Sequence, residues 1–171
     1  NMLKVKKKKL AISFVLLISS IQTMGQDINP NSCISNNPKL GDSAYWANNS
    51  IKLFEQKKYE DAIESVDACF NQWAPEAVEL QKTFNKENIK LPPSGRVTRI
   101  EKNRIHQNYV INDVSMALWV KAVSLEALGK IEYSKKIYSY CIFLTHGRAW
   151  DPQGWFWNPS SDCVKKGRKL I

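Results

Sequence analysis

Read for the spacing of its apolar positions, the chain divides into helical stretches separated by short breaks. Residues 26–39 (QDINPNSCISNNPK) are polar and rich in Pro and Asn, which predicts an extended lead-in. From Asp42 the spacing becomes helical: Ala44, Tyr45, Trp46, Ala47, Ile51, Leu53 and Phe54 share one side of a helix ending near Gln56. Lys57 and Lys58 make the turn. Tyr59, Ala62, Ile63, Val66, Cys69, Phe70 and Trp73 then recur at intervals of three and four, the mark of a second amphipathic helix. Its other face carries Glu60, Asp61, Glu64 and Asp67, which reads as a solvated surface. Pro75 predicts a break, with a further short helix opening there and running to about Glu87.

Residues 88–97 (NIKLPPSGRV) cannot be helical through Pro92-Pro93-Ser94-Gly95. Thr98 followed by Glu101 is a capping box, so a helix restarts at Arg99 and runs, with a bend near Asn108, into 113–128. That stretch is apolar almost all round, from Val114 to Leu128, which places it in the middle of a bundle. Gly129 stops it. Residues 131–144 form the next helix, with Ile137, Tyr138, Cys141 and Leu144 inward. An aromatic loop (150–158) and a basic tail (Lys165 to Lys169) follow.

Composition bounds the class. The 171 residues are 43% hydrophobic and 24% charged, the make-up of one globular domain. Seven Gly and seven Pro exclude a collagen-like or low-complexity chain. The net charge of +9 misleads, because Lys4, Lys6, Lys7, Lys8 and Lys9 crowd the first nine residues and no acid precedes Asp27. This basic start, the 12-residue apolar run Leu10–Ile21 and Gly25 predict a secretory signal peptide over 1–25, cleaved after Gly25. The alternative, an uncleaved anchor, meets a run shorter than the roughly 20 residues a span needs. The organisation is then leader 1–25, lead-in 26–41, helical domain 42–164 and basic tail 165–171. Beyond the leader, 20 basic residues face 16 acidic ones, or +4. Export and that small excess argue against a nucleic-acid partner, and confine membrane contact to export. The tail reads as a mobile, solubilising terminus, or as a contact for anionic surfaces.

Export also changes how Cys33, Cys69, Cys141 and Cys163 are read. Four cysteines in an exported chain allow three disulfide connectivities, against the alternative of small buried thiols.

An internal repeat emerges at an offset of 72 residues: Leu53 meets Leu125, Lys58 meets Lys130, Val66 meets Tyr138, Cys69 meets Cys141 and Phe70 meets Ile142. Each unit has an aromatic residue or Leu early in its first helix (Trp46, Leu118), a short turn, and an aromatic or apolar residue opening the second (Tyr59, Ile131). Next come a small residue (Ala62, Ser134), a larger one (Val66, Tyr138) and another small one (Cys69, Cys141). Over about 45–75 and 115–145 this resembles the tetratricopeptide repeat. Ser50 stands for the usual small residue of the first helix, and only Gly129 for the turn glycine. The resemblance implies an all-α fold of antiparallel helix pairs in a short superhelix. It also implies a groove, lined by the first helices, that holds a protein segment or peptide. Its candidate contacts are Tyr45, Asn48, Asn49, Lys52, Asn112, Ser115, Trp119 and Ala122. Antiparallel pairs of this kind bring the end of a second helix back to the start of its unit, which implies the bridges Cys33–Cys69 and Cys141–Cys163. The stretch from Asn112-Asp113-Val114 through Leu128-Gly129 to Trp155-Phe156-Trp157 is also similar to exported bacterial helical-repeat proteins, some found beside carbohydrate-active enzymes.

Catalytic chemistry finds few candidates. His106 and His146 have no motif around them, and Cys–His chemistry would need an exposed, reduced thiol beside one of them. Zinc-ligand spacings, a Gly-rich phosphate loop, HExxH and GxSxG are all missing, so no metal or cofactor is expected. The loop from Trp150 to Trp157 puts four aromatics within eight residues. Trp155 and Trp157 with Asp151 could hold a sugar ring, but the favoured expectation is that Trp150, Trp155 and Trp157 fold back to cap the last helix pair. The sequence therefore predicts an exported, non-catalytic interaction module for a protein or peptide partner. A carbohydrate-associated module is the alternative, and exposure of Trp155 and Trp157 separates the two.

Overall fold

The computed structural model describes residue 29 and residues 31–171; the expected leader and its cleavage site lie outside the described residues. The elements are α1 (Asp42–Glu55), α2 (Tyr59–Lys86), α3 (Arg99–Gln107), α4 (Tyr109–Ala127), α5 (Ile131–Phe143), β1 (Ala149–Asp151), β2 (Trp155–Trp157) and α6 (Pro159–Arg168). The fold is all-α with antiparallel helix packing, and the two short strands form one hairpin.

The uniformly apolar α4 is the axis, packed against α1, α2 and α5 and more lightly against α3 and α6. Val110, Ile111, Val114, Ala117, Val120 and Ala122 are sealed from solvent. Small residues set the approach on either side: Ala62 and Cys69 on α2, Ser134 and Cys141 on α5 are all fully buried. The Ser134 hydroxyl donates to the Ala122 carbonyl at 2.8 Å, which satisfies it while the helices touch. Trp46 fills the gap between α1 and α2, and its indole N–H donates to the Ser65 carbonyl at 2.8 Å. Lys121 on α4 pairs with Asp67 on α2 at the edge.

The two inter-helix turns are built alike. After α1, Lys57 takes a left-handed conformation (φ 60°), and Lys58 N–H donates to Leu53 O at 2.9 Å. After α4, Gly129 (φ 72°) does the same, with Lys130 N–H donating to Leu125 O at 2.9 Å. These are helix stops that glycine adopts freely and a lysine resists. Lys57→Gly is therefore expected to stabilise the fold by about 0.5–1 kcal/mol, read as a higher melting temperature. A lower melting temperature would show that the lysine stem packs usefully there.

Three expectations are corrected. Pro75 does not break the second helix: α2 runs unbroken for 28 residues. The proline forfeits one backbone bond and crowds the preceding turn, at a cost of roughly 3 kcal/mol. Burial on both sides of it, at Cys69, Ala74, Ala77 and Gln81, holds the helix through. The aromatic loop is a hairpin, with Trp150 opposite Phe156. The boundary at 164/165 falls inside α6, whose last turn carries Lys165, Lys166 and Arg168; these are helical residues rather than a loose tail. Asn158 caps α6 by accepting from Ser161 N–H at 3.1 Å, and Pro159 occupies the first turn. Cations at its C-terminal end suit the helix dipole.

Both disulfides pair as implied, Cys33 with Cys69 and Cys141 with Cys163, and no cysteine is free. They tie the lead-in to α2 and α6 to α5. No described helix is long and apolar enough to cross a membrane.

Candidate functional site

The candidate groove residues do not form one surface. On α1, Tyr45, Asn48, Asn49 and Lys52 share a stripe at intervals of three and four and line a cleft of about 270 Å³. The opposite wall is the lead-in, through Asn36, Asn37, Pro38 and Leu40. The candidates on α4 are elsewhere. Asn112, Ser115 and Ala122 are buried, so they are corrected from groove contacts to core residues. Asn112 donates from Nδ2 to Ile105 O at 2.7 Å and accepts from Arg148 N–H at 2.8 Å. Ser115 sits under Gly147, where a Cβ would stand 2.2 Å from its hydroxyl. Trp119 is half-buried in an aromatic cluster, 5.6 Å from Phe54 and 5.3 Å from Trp157 between ring centres, and its N–H donates to Asp162 at 2.6 Å. The all-round apolar pattern of α4 was the warning: an axial helix leaves little outward surface for a groove.

The hairpin, α3 and the Pro-rich segment 88–97 form a small lobe beside the helical core, with Phe156 joining them. Phe156 is 1% exposed, and its backbone exchanges two bonds with Gly95, at 2.7 and 2.9 Å. Its ring meets Trp150 at 4.8 Å and His106 at 5.5 Å. Burial and the nearby Lys102 lower the His106 pKa. Trp150 is 40% exposed, with the Lys102 ammonium 3.9 Å over its ring, and Trp155 is 37% exposed. Trp157 is half-buried. The capping expectation is thus corrected for Trp150 and Trp155 but not for Trp157, which packs on Trp119 of α4: Phe156 seals the lobe, while Trp155 keeps a free surface near Asp151.

Two side chains clip the Pro-rich segment down. His146 is buried; the Ile89 carbonyl 3.0 Å from Nε2 requires the proton there, so Nδ1 accepts from Gln81 at 2.9 Å. The Arg148 guanidinium donates to the carbonyls of Pro92, Pro93, Thr145 and Gly147. Burial pulls its pKa down to about 10, which leaves it charged at neutral pH. These groups are consumed by structure. The acidic stripe of α2 is exposed, as expected, with Glu64 accepting from Asn31 at 3.0 Å. Among the described residues no three His, Cys, Asp or Glu side chains converge to hold a metal.

Asp113 joins the first turns of α4 and α1: Ser43 Oγ donates to it at 2.7 Å. Burial raises its pKa from 3.8 to about 7, against the lowering effect of Ser43. Between those values the folded chain holds this proton and the unfolded chain does not. Stability from this group therefore falls as pH rises from about 4 to about 7. The full effect is on the order of 4 kcal/mol at most, at about 1.4 kcal/mol per unit. Asp113→Asn is expected to melt several degrees above the parent at alkaline pH and to converge with it in acid. Parallel melting curves across pH would remove the argument.

A different surface stands out for its exposure. Between α2, α4 and α5 an apolar groove of about 630 Å³ is floored by Phe70, Ala74, Val114 and Leu118. Tyr140 and Phe143 form its α5 rim and are 46% and 41% exposed. The sequence contained the signal: both are aromatic and lie off the inward stripe of Tyr138, Cys141 and Leu144. Comparison of the chain with protein-family models, with characterised proteins and with solved structures finds no match.

Proposed function

We propose that the protein is an exported, non-catalytic interaction module that holds an apolar segment of a protein partner in the groove between α2, α4 and α5. One observation carries the reading: large aromatic side chains, Tyr140 and Phe143, stand exposed on the rim of an open apolar groove. Contiguous exposed apolar surface of that kind marks partner sites, and a groove between helices suits an amphipathic helix anchored at intervals of three and four. The order of neighbours supports a tetratricopeptide-like scaffold: α1 packs on α2 and α4, α4 on α5 and α6, and α5 on α6. Two disulfides support export, since such bridges persist in oxidising compartments. Selection of a random peptide library on the parent, with counter-selection on Phe143→Asp, tests it. Enriched peptides are expected to be amphipathic and to lose the variant. No enrichment, or equal binding to both, removes the proposal.

Trp155 favours a second reading, a carbohydrate-associated role. Its exposed ring beside Asp151 offers a face for sugar C–H groups. Glycan-array binding lost in Trp155→Ala, at unchanged melting temperature, would support it over the first.

A further inference from the structure

The cleft between the lead-in and α1 lies apart from both surfaces: none of its lining residues belongs to the apolar groove or to the hairpin. Its outer wall is a built one. Cys33–Cys69 anchors the lead-in to α2, and Ser35 N–H donates to Asp42 Oδ1 at 2.8 Å, in the first turn of α1. Asn37 then organises a tight turn, accepting from Leu40 N–H at 3.0 Å on its carbonyl and from Lys39 N–H at 3.0 Å on its side chain. A segment tied at both ends and bonded within itself keeps its shape when empty, which lowers the cost of binding.

The chemistry inside is one-sided in charge and two-sided in hydrogen bonding. Four asparagine amides line the cleft, each offering donors and an acceptor. Asn48 spends one donor on Ala44 O at 2.7 Å, and Asn37 spends its side-chain oxygen on Lys39, so each presents its other group. Asn49 is 4% exposed, yet its Nδ2 has no partner among the described residues. A buried donor left unpaired is costly in a native fold and calls for an explanation. The half-buried Tyr45 adds a ring face and a phenol, and Lys52 adds a positive charge with no carboxylate paired to it among the described residues. Among the described residues, no acidic side chain lines the cleft.

We propose that this cleft binds one ring of an acidic sugar, a hexose-sized ring bearing a carboxylate. Hydroxyl groups donate and accept like the amides around them, so a ring of hydroxyls matches four amides better than a peptide does, with its few polar groups per residue. The tyrosine ring covers the apolar C–H face of the sugar, and Lys52 pairs with the carboxylate. A volume of about 270 Å³ is at the small end for ligand pockets, which admits one ring and not a chain.

Two-dimensional amide NMR on the protein with both disulfides intact tests it, with methyl glucuronide as the probe. The expected result is saturable shifts at Asn48, Asn49 and Lys52, with a dissociation constant of about 1 mM for a single ring. Methyl glucoside, which lacks the charge, and acetyl-dialanine, which carries a carboxylate without the polyol, are each expected to bind about tenfold more weakly. Lys52→Gln, at an exposed position, should lose about tenfold in affinity without a change in melting temperature. Asn49→Leu separates a ligand group from a structural leftover: it removes an unpaired buried donor, so the fold should hold while uronide binding fails. Absence of saturable shifts overturns the proposal, as does uronide binding retained in Asn49→Leu. Equal binding of acetyl-dialanine overturns it in favour of a peptide terminus, and equal binding of methyl glucoside removes the acidic requirement. Phe143→Asp should bind the uronide like the parent, so this site and the apolar groove can fail separately.

Discussion

Phe156→Ala should cost about 3–5 kcal/mol of stability, while Trp155→Ala, one residue away, should cost well under half as much. The reason is the alternation of a strand. Phe156 points into the lobe and is 1% exposed, whereas Trp155 points out and is 37% exposed. Removing the Phe156 ring opens a cavity between Trp150 and His106, next to the two backbone bonds with Gly95. Domains of this size are stable by roughly 5–15 kcal/mol, so the loss is a large share. Urea titration reads it as a lower midpoint at unchanged slope. Similar midpoints for the two variants would mean that the hairpin is an ornament on the helical core. The sequence reading placed the capping role on Trp150, Trp155 and Trp157, the larger residues; depth of burial, not ring size, moves the largest share to Phe156.

Replacing Cys141 and Cys163 together by alanine should cost about 3 kcal/mol, the chain-entropy value for a bridge spanning 22 residues. The bridge holds α6 against α5, where it covers Tyr138 and lets Asp162 accept from Trp119. Ser160 Oγ adds a bond to Ile142 O at 2.8 Å. With the bridge gone, α6 should detach locally before the core unfolds. Trypsin should then cut at Lys165, Lys166 and Arg168 ahead of sites elsewhere, and midpoint measurements should show the loss directly. An unchanged midpoint with unchanged digestion would show that packing alone holds α6. Removing the Cys33–Cys69 bridge instead should free the lead-in and abolish the cleft on α1 while α4 and its neighbours remain folded.

Much of the helical core was legible because helix burial leaves a local record. The intervals of three and four in α1 and α2, the capping box at Thr98 and the all-round apolar run of α4 are each written within one or two turns. The 72-residue offset likewise anticipated matching turns at Lys57 and Gly129. Pro75 was misread because its local preference is real but is outweighed by packing from α4, which begins 34 residues further along the chain. The candidate sites failed in the same way. Periodicity can place Asn112, Ser115 and Ala122 on α4, but it does not say that Gly147 and Arg148 close over the first two and α5 over the third. Nor does it say that Asn36 and Asn37 fold back over Tyr45 and Lys52 to close a cleft. The sequence by itself determined α1, the start of α2, α4 and α5, the turns at Lys57 and Gly129 and the buried stripes, since these depend on neighbours within a few residues. Only the tertiary structure decided which polar side chains face each other and which aromatic rings stay in water, because such contacts join residues far apart in the chain and leave no repeating mark along it.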